Sequence, residues 1–331
     1  MNTRRHLLGA ALLGALHAPS RVMAQTPAKV WRIGLLSPIP RPRPDEPNPY
    51  TPALVQAMQK LGYAPKKDYV VELRSADGDY ARLPALAAEL VQARVDVIVA
   101  WSSIAVQAAK GATKSIPIIF MGVHDPVGMG LVQSLAHPGG NTTGLATFQG
   151  MLVPKHLELL RVALPKLSRV AVLVNPQLAT HDDMLKSAQA AGRQLGVTMI
   201  PVRARNEQEL APAFAAMARA RAGAVIVISD PFFNQQRRLI AGLALKHRLP
   251  SVFGAREDVV AGGLLSYGDS TLDMFRRVPM YLDKIFKGTP PGDLPVEQPM
   301  VFHLALNRKT AQALGMAVSQ ELILRADEVI E

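Results

Sequence analysis

Short runs that are apolar at almost every position alternate along this chain with longer stretches whose apolar residues recur at three- and four-residue spacing. The first kind reads as buried strands and the second as amphipathic helices laid over them. Residues 30–36 form such a strand, 51–61 a helix closed by Gly62, and 69–74 an alternating second strand. A helix over 80–93 sets Leu83, Leu86, Ala87, Leu90 and Val91 on one face and leads into the strand 95–100; another helix and the strand 116–121 follow. After the glycine-rich passage Pro138-Gly139-Gly140-Asn141-Thr142-Thr143-Gly144 the scheme repeats. Strands at 170–174, 198–202, 224–228 and 251–253 are spaced by helices over 182–195, 207–221 and 234–247. The pattern predicts an α/β fold in which each half buries its own parallel sheet beneath helices on both faces.

Ahead of this pattern, Arg4-Arg5 precedes an apolar run over 7–16, and Val22-Met23-Ala24 offers small residues where a signal peptidase cuts. Residues 1–24 therefore read as an export signal, of either the general or the twin-arginine kind. The run is far short of the roughly 20 residues of a membrane-spanning helix, so a cleaved leader is favoured over a retained anchor. The chain has no cysteine, which excludes disulfides, thiolate metal sites, a cysteine nucleophile and a lipid-modified cysteine. With 49% hydrophobic and 19% charged residues, the mature chain of about 300 residues fills two domains more naturally than one. Three of the 37 basic residues, Arg4, Arg5 and Arg21, lie in the leader, leaving 34 against 26 acidic. That excess is scattered, so it fits solubility or anionic head groups and not nucleic acid.

Ligands of open parallel sheets sit beyond the carboxyl ends of the strands, so two facing lobes enclose a cleft lined by loops. The candidates are then Ser37 after the first strand, Trp101-Ser102-Ser103 after the third, and His124-Asp125 after the fourth. The second half supplies Asn175, Asp230 and the Arg256-Glu257 pair. Hydroxyls and helix amino termini suit a carboxylate, Asp125 and Asp230 suit an ammonium group, and Trp101 can form a flat apolar wall. Each has a plainer role open to it. Ser102, Ser103, Asp125 and Asp230 also suit helix caps, and Trp101 also suits the core. Asn175 and Asp230, each before a proline, suit turns, and Arg256 can simply pair with Glu257.

No His-Glu-x-x-His, Gly-x-Ser-x-Gly or Gly-x-x-x-x-Gly-Lys occurs, and the eight histidines are dispersed. No catalytic residue, metal site or cofactor is expected, which opposes the rival reading of an exported enzyme.

The residues also resemble those of the ABC-transporter substrate-binding family that includes the tryptophan- and tyrosine-type binding proteins. The likeness runs through Leu83-Pro84-Ala85-Leu86-Ala87-Ala88-Glu89-Leu90-Val91, Val95-Asp96-Val97-Ile98-Val99-Ala100 and Asp125-Pro126-Val127-Gly128, then through the glycine-rich passage. It continues in Ala261-Gly262-Gly263-Leu264-Leu265-Ser266-Tyr267-Gly268, Asp293-Leu294-Pro295-Val296-Glu297-Gln298-Pro299 and the closing Leu324-Arg325-Ala326-Asp327-Glu328-Val329-Ile330-Glu331. The resemblance implies the type I periplasmic binding protein fold, two Rossmann-like lobes joined by three crossovers near 144–148, 264–268 and within 296–303. Lobe 1 would comprise 29–145 plus 269–296 and lobe 2 would comprise 146–268 plus 297–331. Tyr267, on the second crossover, joins the candidate ligand contacts. The resemblance further implies a monomeric periplasmic receptor that delivers an amino acid or other carboxylate to an inner-membrane ABC permease. A receptor that reports its ligand to a membrane signalling protein is the alternative. The chain departs from the family at Pro38-Ile39-Pro40-Arg41-Pro42-Arg43-Pro44, a stiff stretch that bears on Ser37.

Overall fold

The computed structural model describes residues 29–39, 50–148 and 151–331, so the expected export signal over 1–24 and most of the proline-rich stretch lie outside the described residues. The first sheet gathers β1 (Trp31–Ser37), β2 (Tyr69–Ser75), β3 (Val97–Trp101), β4 (Ile118–His124) and β5 (Thr142–Thr147) in the order β2-β1-β3-β4-β5, all parallel. Successive side chains on a strand point to opposite faces. Ile98, Ala100, Ile118 and Phe120 accordingly meet α2 (Leu83–Gln92) and α3 (Ser103–Ala112), while Val97, Val99, Ile119 and Met121 meet α1 (Tyr50–Lys60) on the other side. The 80–93 helix divides: Asp79 caps a short 3-10 turn at Tyr80–Arg82, and α2 starts only at Leu83, with Pro84 in its first turn where a missing N–H costs nothing.

The second sheet takes β6 (Arg169–Val174), β7 (Thr198–Arg203), β8 (Ala224–Val227), β9 (Ser251–Phe253), β10 (Leu265–Gly268), β11 (His303–Asn307) and β12 (Glu328–Ile330) in the order β12-β11-β10-β9-β8-β6-β7. Val170, Val172, Val174, Ala224 and Ile226 pack beneath α4 (Val153–Ala163) and α5 (Thr180–Leu195). Ala171, Leu173, Val225 and Val227 face the opposite way, toward α6 (Glu207–Arg219), and the helix foreseen over 234–247 begins earlier and divides into α7 (Pro231–Gln235) and α8 (Arg237–Lys246). Its early start follows from Asp230, whose carboxylate accepts the Phe233 N–H at 2.9 Å.

This second sheet is mixed, where the sequence pattern predicts a parallel one. β11 runs antiparallel to β10. After β10 the chain, with α9 (Arg256–Val260) behind it, leaves for the first sheet as α10 (Thr271–Phe286) and comes back along the same edge in the opposite direction. No helix reverses it again on the same sheet, so antiparallel pairing is the geometry available. The remaining helices, α11 (Arg308–Ala313) and α12 (Gln320–Arg325), carry the chain to β12.

The chain passes between the sheets after β5, after β10 and before β11, and these passages brace one another. The Ala146 N–H donates to Glu297 O at 2.8 Å, and the Glu297 N–H donates to Gly144 O at 3.0 Å. Thr147 Oγ1 donates to the Asp269 carboxylate at 2.9 Å, joining the first passage to the second. On α4, buried His156 bonds the Tyr267 carbonyl through Nε2 at 2.6 Å. Gly144 sits at φ +150, and a Cβ there would stand 2.2 Å from the Phe120 carbonyl oxygen. Gly144→Ala is expected to cost at least ~2 kcal/mol of unfolding free energy, read from the urea midpoint.

Candidate functional site

The carboxyl ends of both sheets face each other across a cleft that encloses about 70 Å³ and is lined from both sides. Trp101 forms one wall, half-buried, with its indole edge-on to Phe275 at a centroid separation of 6.2 Å. Ser102 follows at φ 75, a conformation that side chains rarely adopt, and turns the chain sharply into α3. No side chain caps that helix. The N–H groups of its first turn lack partners within the helix, and Ser102 Oγ, itself buried and without a hydrogen-bond partner, stands beside them in the cleft lining. His124 reaches the cleft from the end of β4 with Nδ1 buried and unpartnered. Met274 and Met184 add soft apolar surface from the two sides.

Asp230 lines the cleft from the second lobe, but its oxygens are engaged. They accept the Phe233 N–H at 2.9 Å and Asn175 Nδ2–H at 3.1 Å, and the Tyr80 hydroxyl of the first lobe stands close enough to the same carboxylate to interact with it electrostatically. Burial pushes Asp230 up to about 6 despite these donors. His181, a lining residue, has both nitrogens occupied: Nδ1 accepts the Asn175 N–H at 2.9 Å, and Nε2 lies 3.2 Å from Ser229 O. It is the neutral Nε2–H form, held down to about 4 by burial.

The candidates from the sequence thus divide. Trp101, Ser102, Ser103 and Asp230 come together in the cleft lining, and Asn175 stands directly behind Asp230. Ser37 keeps its hydroxyl within its own turn, donating to Ile39 O at 3.0 Å. Asp125 is exposed at φ 47 and accepts the Gly128 N–H at 2.9 Å; a Cβ on Gly128 would fall 2.0 Å from its Oδ2, so the Asp-Pro-Val-Gly run is a turn. Arg256 pairs with Glu328 on β12 and not with Glu257, because the strand brings that carboxylate to its guanidinium fork. Glu257 acts electrostatically on Tyr50 of the first lobe, which burial and that charge push up to about 12. Tyr267 stacks on Phe302 at 5.9 Å, outside the cleft lining.

Sequence reasoning missed Thr147, Thr180, Thr271 and Met274, all in the lining. They stand on the passages between sheets or at the starts of α5 and α10, where the strand-end rule does not look. A more open crevice of about 400 Å³ between α5 and β7 is lined by Gln189, Arg193 and Met199 and holds none of the buried unpartnered polar atoms found among the described residues. Those residues also contain no cluster of three potential metal ligands and no helix long and apolar enough to cross a membrane.

Two facing α/β lobes, joined by three passages around an enclosed cleft, define a type I periplasmic binding protein architecture. The chain belongs to the ABC transporter substrate binding protein family, whose family model matches residues 50–330. A tyrosine-binding protein of Clostridioides difficile (strain R20291) is 24% identical over 262 residues, covering 79% of this chain and 75% of that protein. A conserved domain protein from Vibrio cholerae O1 biovar eltor superposes with a TM-score of 0.83 at 25% identity, covering 91% of this chain and 100% of the other. The ABC domain in complex with L-Trp from Streptococcus pneumonia gives 0.81 at 22% identity, with 91% and 100% covered. The ligand-free, open structure of a substrate-binding protein with adhesive properties from Clostridium difficile gives 0.64 at 23% identity, with 91% and 99% covered. The family is one of solute receptors, not enzymes.

The buried acids and histidines set opposing pH responses. His156 and His181, held near 4, lose protons on folding, so their contribution to stability falls as pH drops from about 6.5 toward 4. Asp230 and Asp258, raised by burial to about 6 and about 7, take up protons in the folded state first, so their contribution rises as pH drops through those values. Asp258→Asn removes one of the compensating groups. Urea unfolding at pH 7.5 and pH 5 should show this variant losing more stability on acidification than the native protein.

Proposed function

We propose that this chain is the periplasmic receptor of an ABC importer, which closes on an amino acid or another carboxylate with a flat side group and presents it, as a monomer, to an inner-membrane permease. The observation that carries the ligand class is the uncapped start of α3, where N–H groups and the orphaned Ser102 Oγ converge beside Trp101. Buried donors without partners cost free energy, and a carboxylate oxygen satisfies several at once. Trp101 and Met274 would then sandwich the flat group. His124 Nδ1 would meet its polar end.

The enclosed 70 Å³ is well below the roughly 300–1,000 Å³ of ligand pockets, so a ligand of amino-acid size enters only when the lobes part. Opening would turn on the passages near Thr147, Tyr267 and residues 296–303, with 29–145 plus 269–296 moving as one lobe and 146–268 plus 297–331 as the other. The tyrosine-binding relative and the L-Trp complex support an aromatic amino acid as the first compound to try. Residues 1–24 would be the export leader.

Mass spectrometry of the molecule released on denaturing the purified protein, followed by thermal shift with that compound, tests the reading. One ligand per chain that raises Tm with concentration is the expected result; a chain that no amino acid or carboxylate stabilises would refute it. Trp101→Ala should weaken Kd at least tenfold, about 1.4 kcal/mol, with Tm of the ligand-free protein little changed. An unaltered Kd by calorimetry would return Trp101 to the core.

A further inference from the structure

The two lobes touch at a point that neither the hinge passages nor the ligand-facing groups explain. Tyr80 stands just past β2, the edge strand of the first sheet farthest from β5, where the first passage leaves. Four strand spacings separate those edges, about 19 Å. Tyr80 is 5% exposed, and its hydroxyl serves the other lobe: it accepts the Phe232 N–H at 3.1 Å and stands within electrostatic reach of the Asp230 carboxylate. Within the second lobe, Asn175 and the Phe233 N–H already fix that carboxylate, so its charge is placed before the lobes meet. The ring shares one apolar cluster with Phe232 and Phe233.

We propose that Tyr80 is an interlobe clasp that sustains a closed population without ligand, and thereby positions the cleft walls and lengthens the stay of whatever is bound. A hydrogen bond at the edge remote from the hinge resists opening over the longest lever, and the Asp230 carboxylate beside the hydroxyl adds an electrostatic hold. A residue needed only for the core of the first lobe would use its ring and have no use for a hydroxyl spent entirely on the second. The inference rests on the reading of the molecule as a receptor that opens and closes, and is independent of the ligand's identity.

The absence of cysteine makes the test direct. Ala85→Cys on α2 and Gln208→Cys on α6 are exposed sites in different lobes and accept spin labels with no background. Pulsed dipolar spectroscopy on protein stripped by unfolding and refolding reads the interlobe distance without ligand. A short-distance population is expected, and Tyr80→Phe should lower it at least fivefold while the thermal melt stays near that of the parent. Asp230→Asn, which keeps an acceptor but removes its charge, should lower it by a smaller factor and serves if the first variant folds poorly. Long distances in the parent as well as in Tyr80→Phe would overturn the clasp alone. One short distance in both would mean rigid lobes and would overturn the closing receptor with it.

Discussion

The chain must pass between two sheets three times, and every backbone group on those passages needs a partner. The structure meets that constraint by laying the passages side by side: residues 144–146 exchange bonds with Glu297, β10 pairs with the start of β11, and Thr147 reaches Asp269. Unpaired buried amides would cost more than the passages contribute, so they are held together as a strip. The same requirement forces the antiparallel β11 and leaves no room for a side chain at Gly144.

From that arrangement follows the division of labour in the cleft. The second lobe has spent most of its cleft-facing polar groups within itself: His181, Asn175 and Asp230 are linked by mutual bonds that fix the loops after β6 and β8. The first lobe has not, and Ser102 Oγ and His124 Nδ1 are buried without partners. A preformed wall faces a wall with unmet hydrogen-bonding capacity. Ser102 holds a rarely adopted φ there, a local strain tolerated because the Ser102 N–H is secured to Met121 O at 2.9 Å.

Position past a strand end places some of the sequence-level candidates in the cleft lining and leaves others outside it. The rule that ligands lie past strand ends led to Trp101, Ser102, Ser103 and Asp230, which do meet in the cleft. It also selected Ser37 and Asp125, whose polar atoms are consumed by their own turns, because strand-end position says nothing about which way a loop folds. Thr147 and Met274 escaped notice, since residues on a passage become cleft lining only when two distant segments are brought to one edge.

The sequence by itself determined the alternation of apolar strands and amphipathic helices, hence two covered sheets, because periodicity is a local property that burial reads directly. It also determined the family, through motifs spread across residues 50–330. Only the tertiary structure decided the direction of β11, the pairing of Arg256 with Glu328, and the bond from the Phe232 N–H to Tyr80. Each of these joins residues far apart in the chain, and their partners are chosen by how the lobes pack and not by any pattern within reach of a single element.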